Sequence, residues 1–220
     1  MNLSDIEGWA RRITLVEDLN ITDTQLYELV NQGYLELSVQ YPWSWLETSA
    51  DFTVSPDVRT YALPSNYDYG ITMIDTNTDR AIRYVPAKEF FELRGQDTDT
   101  TASAAQSWTI FANEVYFYPT PSTQTTAAYT LFYYSEVSEL LAEDEPEFHQ
   151  AFHWALVEYV AWKLYNREEY FAQSERAFIT WTRYINEMVA FYNSKTKWSS
   201  FIWGDGRLPR QFTNISDLNI

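Results

Sequence analysis

The sequence predicts an α+β protein: a helical bundle carrying a β-rich insertion and an extended C-terminal tail. Three observations predict it. Apolar residues recur every three or four positions up to residue 42, alternate from 43 to 135, and return to the helical period after 145. The 220 residues are 45% hydrophobic and 18% aromatic, a load of rings that a disordered chain does not keep in water. The last 23 residues follow neither period. The bundle is therefore assigned to 1–42 and 146–197, the insertion to 43–135, an acidic linker to 136–145 and the tail to 198–220.

The first helix is expected to open on a capping box at Ser4-Asp5-Ile6-Glu7, with Ile6, Trp9, Ala10 and Ile13 as its apolar face. Thr22-Asp23-Thr24-Gln25 repeats the signal ahead of Leu26, Leu29, Val30, Gly33 and Leu37, and Pro42 stops this second helix. Gly33 fits either a close helix crossing or a plain weak spot. Short strands are expected at 51–54, 59–63, 69–75, 80–85, 108–111, 114–118 and 127–134, with a tight hairpin at Ala112-Asn113. Between them, Pro86–Arg94 reads as a short helix with glycine after its end, and Gln96–Gln106 as a mobile loop.

After Glu143-Asp144-Glu145, Pro146 is placed in the first turn of a helix of about 20 residues, with Phe148, Phe152, Leu156, Tyr159 and Val160 in one stripe. A partner of about 25 residues follows a junction near Tyr165-Asn166-Arg167 and carries Phe171, Ser174, Phe178, Trp181, Ile185, Met188 and Tyr192. Trp154, Trp162, Val189 and Phe191 widen the apolar coverage, so this pair wants partners on more than one side. The tail brings together Trp198, Phe201, Trp203 and Phe212 with Arg207 and Arg210; such a segment either packs on its own domain or docks on another protein.

Composition excludes several functions. With no cysteine there is no disulfide, thiol catalysis or Cys-ligated metal. Met1–Ile13 lacks the basic-then-apolar order of a signal peptide, and no apolar run reaches ~18 residues. A soluble protein of a reducing compartment is expected. The formal charge is −16; residues 1–150 hold 24 acids against 7 bases, whereas 151–220 are nearly balanced. Such a surface does not grip nucleic acid through its phosphates.

Candidate chemistry is thin. His149 and His153 lie one helical turn apart, a zinc-compatible spacing, but Gln150 stands where a zinc protease needs Glu and there is no third histidine. Neither a Gly-x-Ser-x-Gly elbow nor a phosphate-binding glycine loop is present. Two ordinary histidines, no metal, no cofactor and no catalytic residue are the expectation. Glu114–Tyr118 and Tyr129–Tyr134 suit either a sugar-stacking platform or a sheet with a core face and a tyrosine-covered face; the sheet is the simpler reading.

Three stretches carry a family likeness: Asn31–Leu37 leading to Tyr41-Pro42-Trp43-Ser44-Trp45-Leu46, Tyr61-Ala62-Leu63-Pro64-Ser65-Asn66-Tyr67-Asp68, and Phe117-Tyr118-Pro119-Thr120-Pro121. With the order of the elements, they make the chain resemble the head-to-tail adaptor (connector) proteins of tailed bacteriophages. That resemblance implies a virion structural protein, assembled in the host cytoplasm. It implies a homo-oligomeric ring, a dodecamer, beneath the portal protein. The ring extends the DNA channel, lets viral DNA pass without specific binding, and offers a platform to tail nozzle or tail fibre proteins. Neither cofactor nor membrane is implied. Phe171, Phe178, Trp181, Ile185, Met188 and Tyr192 then become the expected ring-interface helix, and Trp198, Phe201, Trp203, Arg207, Arg210 and Phe212 the expected docking tail. Some adaptors degrade cell wall, and no motif here places a catalytic pair. A carbohydrate-binding or adhesin-like tail module and a wall-degrading enzyme are the alternatives.

Overall fold

The computed structural model describes residues 1–14, 21–94 and 101–195. The protein is mixed α+β and divides into two compact units, Met1–Trp45 with Ser138–Ile220, and Leu46–Val137.

The first unit holds helices α1 (Leu3–Thr14), α2 (Asp23–Ser38), α4 (Trp154–Arg167) and α5 (Phe171–Lys195). The capping box foreseen for α2 is present: Thr22 Oγ1 accepts from the Gln25 amide, and Gln25 Oε1 accepts from the Thr22 amide. For α1 the box sits two residues earlier than expected. Asn2 and Asp5 exchange side-chain-to-amide bonds of 2.8 and 3.1 Å, while Ser4 donates to Ala142 O and Glu7 pairs with Arg11.

Helix α4 is the centre of this unit. Ala155, Leu156, Val157, Tyr159, Val160, Ala161 and Leu164 are buried around its circumference, and α1, α2 and α5 all pack on it. Gly33 marks a close crossing: a Cβ there would stand 2.6 Å from Cδ1 of Tyr159. Ser174, Ala177, Trp181, Ile185, Met188 and Tyr192 form the buried stripe of α5, and Trp181 stacks on Trp162 at 5.5 Å. Trp43 is fully buried and donates to Leu37 O at 2.8 Å, at the centre of a cluster with Tyr41, Trp45 and Tyr192.

The helix expected from Pro146 begins later. A short 3-10 turn occupies Gln150–Phe152 and α4 starts at Trp154, with 14 residues instead of about 20. Hydroxyl groups decide this start. Tyr34 Oη accepts from the Glu147 amide and Tyr192 Oη from the His149 amide, at 3.3 and 2.8 Å. Phe148 meanwhile inserts between Tyr34, Trp45 and His153. Backbone donors held by side chains cannot also close helical turns.

In the second unit, β1 (Glu47–Val54), β3 (Tyr67–Asp75), β4 (Arg80–Ala81) and β10 (Thr125–Ser135) form a sheet in the order β1-β10-β3-β4. A second sheet, ordered β2-β8-β7-β5, joins β2 (Thr60–Ala62), β5 (Arg83–Tyr84), β7 (Ser107–Phe111) and β8 (Glu114–Tyr118). Their inward residues make one core from Phe52, Val54, Met73, Trp108, Val115, Phe117, Tyr129, Leu131 and Tyr133. The β7–β8 hairpin turns at Ala112 and Asn113, whose φ of 52° and 62° are the positive values a two-residue turn of this hand requires.

Two expectations are corrected here. Residues 80–85 are not one strand. Arg80–Ala81 pairs with β3, Ile82 donates to Met73 O, and Arg83–Tyr84 then runs parallel to β7, so the chain changes sheets at Ile82. Nor is the stretch up to Gln106 all loop. Residues 95–100 lie outside the described chain, but β6 (Thr101–Ala102) pairs in parallel with β9 (Thr120–Pro121), and Ala105 is buried. Helix α3 (Ala87–Arg94) follows Pro86 as foreseen and packs on β7.

Candidate functional site

Among the candidate interface residues, Trp181, Ile185, Met188 and Tyr192 are inside the chain's own helical unit, against α4 and the Trp43 cluster. Their spacing matched a contact stripe because any stripe of period 3.6 does so, whether the partner is intramolecular or another molecule. Phe171 remains 65% exposed and Phe178 is at the surface margin. The tail residues Trp198, Phe201, Trp203, Arg207, Arg210 and Phe212 lie outside the described residues.

Sequence reasoning missed a second face of α5. Ile179 is 59% exposed, and Phe178, Ile179, Thr182, Arg183, Asn186, Glu187 and Ala190 line a shallow groove along the outside of the helix. Arg183 lies 3.7 Å from Glu187 and also faces Glu158 of α4, a half-buried carboxyl whose pKa burial raises and Arg183 lowers. The missed signal is a second, thinner period of uncharged side chains at Ala172, Ile179, Thr182, Asn186 and Ala190, hidden beneath the aromatic stripe.

On α2 the outward face shows Glu28, Gln32, Leu35 and Val39, the last two 54% and 62% exposed. Beside it, Asn31 holds both the amide and the carbonyl of Leu140, at 2.8 and 3.1 Å, which leaves the neighbouring Leu141 72% exposed. The segment carrying Leu141 exposes Glu139, Glu143, Asp144, Glu145 and Glu147 and contains no base.

The two histidines are occupied within the chain. His153 is buried, with Nε2 3.1 Å from Phe148 O and Nδ1 3.1 Å from the Met1 nitrogen; its pKa is lowered, chiefly by burial. His149 Nδ1 accepts from the Ala151 amide. Among the described residues no group of three His, Asp or Glu side chains is arranged to hold a metal ion.

The aromatic strands split as a sheet with two faces does. Tyr129 and Tyr133 point into the core, where the Tyr129 hydroxyl accepts from the Ala105 amide at 2.6 Å. On the outer face of the first sheet, Tyr134 and Tyr69 stack on each other at 4.6 Å, and Tyr134 donates to Glu47. Burial pushes the Tyr69 pKa up to about 12. Tyr116 packs against Phe91 of α3 and Phe111. Phe132, Phe111 and Tyr84 remain exposed at the surface of the β unit.

No helix among the described residues is long and apolar enough to cross a membrane. In comparison with known families, the model described as SU10 adaptor protein, a family of phage head-to-tail adaptors, matches residues 1–200. No curated protein matches the chain.

Proposed function

This chain belongs to the SU10 adaptor family of phage head-to-tail adaptors, and from that premise we propose that it is a virion component which assembles into a ring beneath the portal. The observation that carries the reading is the family match across 1–200. The helical unit would form the ring wall as a bundle, the β-rich insertion would face tail nozzle or tail fibre proteins, and twelve copies would match a dodecameric portal. The role is structural, without enzymatic chemistry.

Three physical features support it. Helix α5 carries apolar side chains on its outer as well as its inner side, which suits a wall built from repeated helices. The charge of −16 is concentrated in residues 1–150, and a duct bearing such charge repels phosphates and lets DNA slide without sticking. The segment after Lys197 carries the aromatic and arginine side chains, Trp198, Phe201, Trp203, Arg207, Arg210 and Phe212, that anchor interfaces. Docked on the portal, it would make assembly sequential, since its ordering cost is met only when the portal is present.

The test is the mass of the protein in solution, by light scattering, alone and mixed with portal protein. A ring, alone or on mixing, is expected; truncation after Lys197 is expected to abolish portal binding. A full-length chain that stays monomeric and ignores the portal overturns the reading.

A further inference from the structure

We infer that the outer face of α5 in one copy docks on the outer face of α2 in the next copy, so that each chain contributes two different surfaces to one head-to-tail contact. The inference rests on the ring reading above and names the surfaces that make the ring. Both helices dock on α4 with their inner sides, through Gly33 for α2 and Trp181 for α5, and both turn a second seam away from it. On α2 that seam is Glu28, Gln32, Leu35 and Val39, and on α5 it is Ile179, Thr182, Asn186 and Ala190. Each runs over 12 residues, about 16 Å, the first ending at Val39, the residue that caps α2. Spacings of three and four place each set on a single line, the arrangement by which two helices interdigitate.

Charge selects a second copy as the occupant. The α2 side is acidic, with Glu28 exposed on its seam and the base-free stretch Glu139–Glu147 beside it. In a chain of −16, two such surfaces repel one another. The α5 face is the one that an acidic neighbour meets with less of this penalty. Arg176 and Arg183 stand there against Glu175, Glu187 and the half-buried Glu158 of α4, and Arg176 makes no ion pair among the described residues. Apolar matches apolar likewise: Leu35, Val39 and Leu141 offer exposed surface on one side, Phe178 and Ile179 on the other. Because the two faces differ, the contact is heterologous; such contacts do not stop at dimers, and they close into a ring when the repeated rotation closes.

The natural absence of cysteine makes the test clean. Leu35→Cys and Ile179→Cys chains, tagged to differ in size, are co-assembled with portal protein and oxidised, while wild-type assembly is followed by mass. The expected result is a wild-type ring in which disulfide dimers join Leu35→Cys to Ile179→Cys chains at least tenfold more often than either variant joins itself. Ile179→Asp is expected to lose the ring while keeping the far-UV spectrum and thermal midpoint of the wild type. A ring with no such cross-link, or with like-to-like cross-links, overturns the inference and leaves the adaptor reading standing. So does an Ile179→Cys adduct with the portal or another protein in place of the next copy. Absence of any wild-type ring with portal present overturns both.

Discussion

The helical unit and the β unit both bury tyrosines and bond their hydroxyls, but they differ in what those bonds join. In the β unit both partners always lie within the one stretch Leu46–Val137: Tyr61 bonds Ser55, Tyr129 bonds Ala105 and Tyr133 bonds Asn66. In the helical unit Tyr34 bonds Glu147, Tyr159 bonds Glu36 and Tyr165 bonds Ile13, each joining the first 40 residues to the chain after 138. The β unit is closed within one continuous stretch. The helical unit is stitched from two, and its long-range contacts repay the entropy of bringing distant segments together only once both are in place.

The sharpest break of this comparison is to separate the pieces. A fragment of residues 46–137 is expected to give a cooperative thermal transition and dispersed amide resonances, whereas 1–45 alone, deprived of α4, is expected to be largely unstructured. A folded 1–45 would remove the distinction between the units.

Next in size is Gly33→Val. Its branched side chain collides with the Tyr159 ring, and overpacking of this kind costs about 1–3 kcal/mol. Urea unfolding is expected to show an earlier loss of the helical unit with the β unit's transition unmoved. Equal shifts of both transitions would mean that the units unfold as one.

Removing single hydroxyls compares the units directly. Tyr34→Phe orphans the Glu147 amide and Tyr129→Phe the Ala105 amide, each a loss of about 1–2 kcal/mol. Hydrogen exchange is expected to rise around 147–153 in the first variant and around 105 in the second.

The smallest effect is on pH. His153 has a folded pKa below its ordinary 6.5, chiefly because burial disfavours the charged ring. The unfolded chain therefore takes up the proton first, and the stability from neutral His153 is present above 6.5 and lost as pH falls below it, by no more than about 1.4 kcal/mol per pH unit for one proton. The β unit contains no histidine, so between pH 7.5 and 5.5 only the helical unit is expected to weaken, and His153→Gln is expected to flatten its profile.

Local chemistry made much of this legible in the sequence. The capping box Thr22–Gln25, the hairpin at Ala112-Asn113, the short helix after Pro86 and the 25-residue α5 all depend on residues within a turn or two of each other. Of the candidate site, the α5 stripe was legible as a stripe, but which side of the helix stays at the surface was not. That depends on what stands opposite: α4 takes Trp181, Ile185 and Met188, and leaves Ile179 outside.

By itself, then, the sequence determined the periods, the caps, the turns, the acidic charge and the likeness to adaptors, because each is set by neighbours along the chain. The tertiary structure alone decided that Gly33 is a crossing, since only the Tyr159 ring on another helix forbids a side chain there. It also decided that 80–85 changes sheets at Ile82 and that α4 waits until Trp154. In each case the deciding atom comes from a residue far away in the chain, and periodicity carries no information about which distant group will claim a backbone amide or fill a gap.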